Sequence, residues 1–271
     1  MFKKLFFSLL RIVSAALVGF TVLLYFAQEQ MLFPRKQLDE GFVLWARQQF
    51  PQSEMKIPAP DGTKLHGWFV QRKNEEKQPL LIYFGGNATE ATVFLSFTEH
   101  FPQHAIAAFN YRGYGLSEGN PSQEMIFQDA LYLYDLFSKN QNIDPNRIYV
   151  MGRSLGTGVA TYVASQRPVN KTILISPYDS ILALAEERHP FVPIQWLLKH
   201  PFKSIDYAPH IKTPALAFVG LIDEVISPEH SDRLIEKWGG KVQKITFPLA
   251  NHNSIMDEVT LWRNAQAFIT Q

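Results

Sequence analysis

Residues 147–158 read R-I-Y-V-M-G-R-S-L-G-T-G. The apolar run 147–151 leads into Gly152-Arg153-Ser154-Leu155-Gly156, and a small-residue stretch suited to a helix, 157–166, follows. Strand, G-x-S-x-G and helix, in that order, describe a nucleophile elbow. The turn is strained and neighbouring elements pass close to it, so a side chain at either glycine would collide or resist the required backbone angles. Ser154 is then held at the strand tip with its hydroxyl exposed. The Leu155 N–H opens the helix, where an N-terminal amide can help bind an oxyanion. Three fixed positions also arise by chance in a chain this long. The weight therefore falls on the setting between strand and helix, and on the partners a serine needs.

Outward from the elbow, the pattern alternates. Segments 80–84 and 104–109 read as buried strands, each followed by glycine-bearing turns and a helical stretch. Asp61-Gly62 is a hairpin signal between the extended runs 54–57 and 64–71. Residues 74–78 are a polar loop, and 123–139 has helical spacing (Met125, Ile126, Ala130, Leu133, Leu136, Phe137). Further strands are expected at 171–176, 215–220 and 242–247, with helices at 229–238 and 254–270. Such alternation predicts an α/β fold with a mostly parallel central sheet and helices on both faces. Ligands then bind beyond the carboxyl ends of the strands. One region breaks the pattern: 179–211 is rich in Leu, Phe and Trp and carries Pro190, Pro193, Pro201 and Pro209. It is expected to form a small helical cap, whose apolar residues either pack on the main domain or line an acyl pocket.

A serine hydroxyl is a weak nucleophile near neutral pH; it needs a base, and the base needs an orienting acid. In an elbow enzyme the chain order is Ser, acid, His. His252 lies after the last strand, just before the final helix, where a loop can reach the strand tips. The other seven histidines fit less well. His66 and His104 lie in strands, His100 at a helix end, His189, His200 and His210 in the cap, and His230 at the start of a helix. Asp223, directly beyond strand 215–220, is the expected acid; Asp179 is the runner-up, with Glu224 and Asp257 behind it. The second oxyanion donor is expected from Gly85-Gly86-Asn87-Ala88, with the Asn87 N–H favoured beside that of Leu155. A phosphate-cradling loop is disfavoured there, since no G-K-[ST] follows.

The chain has 271 residues, no cysteine and a net charge of +1. That length supports one large α/β domain with a substantial core. The near-neutral charge gives no electrostatic case for nucleic-acid binding, and the lack of Cys excludes disulfides, thiolate metal sites and a cysteine nucleophile. Residues 5–27 are apolar apart from Arg11 and a few small hydroxylated residues. At about 1.5 Å per residue they can cross a bilayer. Their fourteen Leu, Ile, Val and Phe residues contribute about −7 kcal/mol on an insertion scale, against about 3 kcal/mol for Arg11. The expected organisation is a membrane anchor at 1–30, a connector at 31–53 and the α/β domain at 54–271, with the cap inserted at 179–211. A cleaved signal peptide is the competing reading, but no clear small-x-small cleavage site follows the apolar stretch. The connector carries an amphipathic patch (Leu38, Phe42, Trp45) suited to the domain edge or the membrane surface. Lys3, Lys4 and Arg11 against Arg35 and Lys36 favour the N-terminus in the cytoplasm and the α/β domain outside it.

The motifs resemble the α/β-hydrolase superfamily. Asn110-Tyr111-Arg112-Gly113-Tyr114-Gly115-Leu116-Ser117-Glu118-Gly119 is similar to its R-G-x-G-x-S loop. Gly152 to Gly158 resembles its G-R-S-L-G-T-G elbow, and Ile175-Ser176-Pro177-Tyr178 and Gly220-Leu221-Ile222-Asp223-Glu224 fit its later strand tips. The combination resembles the membrane-anchored hydrolase-domain branch and its bacterial counterparts, often labelled serine-aminopeptidase-like or prolyl-oligopeptidase-like. The resemblance covers roughly residues 54–270 and implies Ser154, Asp223 and His252 as a triad, with Asn87 and Leu155 at the oxyanion hole. Two departures stand out: Gly85-Gly86-Asn87 replaces the usual His-Gly-Asn, and Val219-Gly220 replaces His-Gly at the acid loop. The Cys-rich N-terminus of the branch's cytosolic depalmitoylases is also missing. The implied activity is hydrolysis of carboxylic ester or thioester bonds, with a small-molecule or lipid acyl substrate and no metal or organic cofactor. A peptidase on the same triad and a non-catalytic binding protein are the alternatives.

Overall fold

Neighbouring residues of the central strands feed two different cores, and that alternation organises the molecule. In a computed structural model describing residues 2–35, 39–72 and 77–271, α1 (Phe2–Leu32) and α2 (Glu40–Gln49) precede an eight-stranded sheet. Its strands are β1 (Glu54–Pro58), β2 (Lys64–Val70), β3 (Gln78–Phe84), β4 (Ala105–Phe109), β5 (Ile143–Arg153), β6 (Lys171–Ile175), β7 (Ala215–Gly220) and β8 (Val242–Phe247). The spatial order is β1-β2-β4-β3-β5-β6-β7-β8. β2 runs antiparallel to β1 and β4, and every pairing from β4 to β8 is parallel. Leu38 and residues 74–76 of the expected polar loop lie outside the described residues.

Two helices, α3 (Gln123–Ser138) and α4 (Leu155–Gln166), cover one face together with Leu80, Ile82, Phe84, Ile148 and Val150. Leu81, Tyr83, Tyr149, Met151, Ile173 and Ile175 point to the other face. There they meet α2, a run of 3₁₀ turns at Ala91–His100, and the last helix. α2 buries Val43 and Ala46, with Trp45 packed against that core, so it docks on the domain edge. Covering both faces explains why β3, β4 and β7 are buried at every residue.

The 179–211 region contains α5 (Ile181–Arg188), α6 (Ile194–Leu197), α7 (Ser204–Tyr207) and a 3₁₀ turn at Ala208–His210. The short helices fit the prolines between and beside them. α7 packs on α4 and on α8 (Pro228–Lys237), whereas α5 and α6 pack on each other. The final helix is not continuous from 254. Asn251 Oδ1 accepts from the N–H groups of Asn253 and Ser254, and a 3₁₀ turn at Ser254–Asp257 follows. Glu258, at ψ 107°, then breaks the winding before α9 (Val259–Thr270). The Asn251 bonds satisfy amides that have no partner within the turn they precede.

α1 is apolar enough to cross a membrane, with mean hydropathy 2.1. Its C-terminal third is docked on the 179–211 region. Gln28 donates to the Leu197 carbonyl and accepts from the Lys199 N–H at 3.2 and 2.8 Å. Lys199 Nζ donates to Glu29 and lies over the Tyr25 ring. Phe33, just past the helix, is buried against Phe202.

Candidate active site

The elbow depends on two glycines that let neighbouring backbone approach where a side chain would clash. A Cβ on Gly152 would press on the Gly156 carbonyl, and a Cβ on Gly156 would press on the Phe84 carbonyl at the end of β3. Between them Ser154 adopts φ 51°, ψ −121°, a region costing of order 1–3 kcal/mol for a residue with a side chain. Ser154 N–H donates to the Ile175 carbonyl of β6, and its carbonyl accepts from the Thr157 N–H and hydroxyl. The strained turn is thus tied on both sides.

His252 stands between Ser154 and Asp223. Its Nε2 lies 2.9 Å from Ser154 Oγ and its Nδ1 2.8 Å from Asp223 Oδ2. The carboxylate is acceptor-only when ionised, so Nδ1 carries the proton and Nε2 is free to accept from the serine hydroxyl. Asp223 Oδ1 accepts from the Val225 and Ile226 N–H groups at 2.9 and 2.8 Å. Burial pushes the Asp223 carboxyl up, but the bonds from His252 and those two amides outweigh it and hold it below the usual carboxylate range. The three side chains are buried, with residue exposures of 7, 6 and 8% for Ser154, Asp223 and His252.

Asp179, the runner-up acid, sits elsewhere in the network. It accepts from His230 Nδ1 at 2.7 Å and from Arg233 Nε at 2.5 Å. Burial raises its carboxyl, and those two partners more than offset the rise. Glu224 and Asp257 are exposed. His66 is bonded to Glu54 and Asn110 inside the fold, and His100 stacks on Trp262. Of the eight histidines, His252 is the one hydrogen-bonded to the elbow serine. Among the described residues no cluster of three or more metal-ligating side chains occurs.

The Gly85-Gly86-Asn87 loop lies against the elbow: a Cβ built on Gly86 would sit 3.6 Å from Ser154 Cβ. Neither the Asn87 nor the Leu155 N–H donates to a partner among the described residues. Three contributors to this arrangement were not singled out from sequence. Tyr111 OH donates to the Gly85 carbonyl at 2.8 Å and Tyr114 OH to the Asn87 carbonyl at 2.7 Å. They brace the loop where the related pattern carries a histidine. Arg153, inside the elbow itself, donates to the His252 carbonyl, Asn253 Oδ1 and Thr89 Oγ1, so one guanidinium ties the His252 loop to the segment just after Gly85-Gly86-Asn87. The Y-R-G-Y tyrosines and the elbow's variable residue were the visible signals.

A model of the family described as alpha/beta hydrolase fold matches residues 79–196. The chain is 32% identical over 220 residues to an Arabidopsis thaliana protein, alpha/beta hydrolase domain-containing protein WAV2, covering 74% of this chain and 71% of that one. The chain belongs to the α/β-hydrolase family. An uncharacterized protein of Mycobacterium tuberculosis is 27% identical to this hydrolase over 222 residues, covering 80% and 79% of the two chains. Among solved structures, acetyl xylan esterase from Paenibacillus sp. R4 superposes on the hydrolase with TM-score 0.66 at 19% identity, over 90% of this chain and 98% of that one. The hydrolase thus combines its family's fold with a Ser-His-Asp arrangement in hydrogen-bonding register.

Proposed function

We propose that this hydrolase cleaves carboxylic ester or thioester bonds by acyl transfer through Ser154. The observation that carries the proposal is His252 bonded at once to Ser154 Oγ and Asp223. As Oγ attacks the carbonyl carbon, His252 Nε2 takes the serine proton, and Asp223 stabilises the imidazolium. The oxyanion is held by the Leu155 and Asn87 N–H groups, each worth about 2.7–4 kcal/mol to the transition state. The proton then passes from His252 to the departing alkoxide or thiolate, leaving an acyl ester on Ser154. His252 next takes a proton from water, which attacks the ester, and returns it to Ser154 Oγ. The name of the superposed acetyl xylan esterase supports an ester substrate.

The reading also places the chain in the membrane-anchored branch of the family. α1 then acts as the single-pass anchor, residues 31–53 as the connector and 54–271 as the catalytic domain, with 179–211 as its cap. The length and hydropathy of α1 support this, and the Lys3, Lys4 and Arg11 charges favour an N-terminus in the cytoplasm. Turnover across p-nitrophenyl esters of increasing chain length, run beside aminoacyl anilides, tests the chemistry. Ester turnover is expected; preference for the anilides would turn the assignment toward a peptidase. Protease digestion of intact spheroplasts tests the orientation, and a catalytic domain protected from the protease contradicts it.

A further inference from the structure

The groove beside the candidate catalytic centre is built partly from α1. Thr21, Leu24, Tyr25, Gln28, Met31 and Leu32 form one wall of a cavity of about 230 Å³. Their spacing places them on one face of the helix. Leu184, Val192, Ile194 and Leu197 of the cap are among the residues opposite, and Asn87 and Val225 also line the cavity. The same space therefore touches the oxyanion loop, the loop that follows Asp223, the cap and α1.

The groove has a direction. Just past the C-terminal end of α1, the Arg35 guanidinium packs beside Gly113, 3.3 Å from the position a Cβ would take there. The adjacent Tyr114 donates to the Asn87 carbonyl. That end of α1 thus approaches the oxyanion loop. Toward its other end, Phe20 packs on His189, and the residues before it are exposed and mostly apolar, Lys3, Lys4 and Arg11 apart. The lining from Thr21 to Leu32 runs about 16 Å along the helix axis, far more than an acetyl group fills. Phe191 and Trp196, beside cap residues of the lining, are 82 and 80% exposed. Such residues suit a bilayer interface.

We propose that this groove holds the hydrocarbon chain of a long-chain acyl ester or thioester, entering along α1 from the bilayer with its carbonyl delivered to Ser154. The inference rests on the serine-hydrolase reading above. It makes α1 a substrate-binding wall as well as an anchor. The lining is mostly apolar, with Thr21, Gln28, Arg188 and His189 its polar members away from Asn87, so selectivity rises with chain length.

The test uses the full chain in detergent micelles. Leu24→Trp fills the groove from α1, and Ala185→Trp, at a cap residue that also lines the cavity, fills it from the opposite side. Each is expected to lower the laurate-to-acetate ratio of kcat/KM for p-nitrophenyl esters by at least about tenfold, through lost burial of methylenes. Phe26→Trp, whose side chain is exposed, is the control with an unchanged ratio. In the unsubstituted protein, a long-chain fluorophosphonate with a photoreactive tip is expected to attach to Ser154 and cross-link to residues 21–32. Cross-links confined to segments outside α1 and the cap overturn the groove, as does a ratio that neither Trp substitution moves. Folded wild-type protein that no fluorophosphonate labels overturns the serine-hydrolase reading instead, and the groove with it.

Discussion

Asp223→Asn separates a catalytic triad from three polar residues that merely adjoin. Asp223 Oδ1 accepts from the Val225 and Ile226 N–H groups, while Oδ2 faces His252 Nδ1. An asparagine keeps the first set of bonds only by placing its single oxygen at the Oδ1 position. Its NH₂ group then points at Nδ1 and selects the tautomer with the proton on Nε2. That proton faces Ser154 Oγ, so the imidazole can no longer act as base. A wrong tautomer with intact geometry lowers kcat by about 10⁴-fold, equivalent to about 5.4 kcal/mol of barrier. Stability should change little, because the loop keeps its two amide bonds. Asp179→Asn is the matched control: its carboxylate serves His230 and Arg233, so kcat should stay within tenfold of wild type. The assay is p-nitrophenyl butyrate turnover across pH, with circular dichroism confirming fold. Asp223→Asn retaining more than about a tenth of wild-type kcat, or Asp179→Asn matching its loss, would refute the reasoning.

Ser154→Gly and Ser154→Ala both delete the hydroxyl, but only glycine relaxes the positive φ of 51°. The Gly variant should therefore be more stable by about 1 kcal/mol, or roughly 2–4 °C in Tm by calorimetry. Arg153→Met cuts the ties to Thr89, His252 and Asn253; kcat should fall by up to about 100-fold with KM little changed, and equal loss in both parameters speaks against a positioning role. His104 is 2% exposed with no partner on Nδ1 among the described residues, and burial pushes its pKa from 6.5 down to about 4. The unfolded chain therefore takes the proton first, so this stability contribution is complete above pH 6.5 and declines as pH falls toward about 4, by about 3 kcal/mol. His104→Phe should flatten that part of the Tm-against-pH curve, and an unchanged slope assigns the decline to other groups.

Local pattern made much of the architecture legible. The apolar run before Gly152, the small residues after Ser154 and the alternation of strand and helix periods report structure within a few residues. Asp223 and His252 were legible for a related reason: each follows a recognisable strand, and strand tips converge at one edge of a parallel sheet. The contacts that escaped are long-range or depend on side-chain conformation. Gln28 meets Lys199 across 171 residues of sequence, so an apolar N-terminal helix reads as a separate anchor until its contacts with Leu197 and Lys199 are seen. Tyr111 and Tyr114 look like core aromatics; only the placement of their hydroxyls reveals the brace on the Gly85-Gly86-Asn87 loop. The break before α9 escaped because it lies in the backbone angles of Glu258 (ψ 107°), which no side-chain pattern in 254–270 marks.

The most direct measurement is rapid acid quench of the full-length protein during p-nitrophenyl butyrate turnover, followed by peptide mass spectrometry. The account predicts a butyryl group on Ser154, formed within the enzyme dead time and lost on further incubation, and none on Ser154 when His252 is replaced by alanine. Turnover with an acyl group on a different residue, or with full activity in Ser154→Ala, would contradict it.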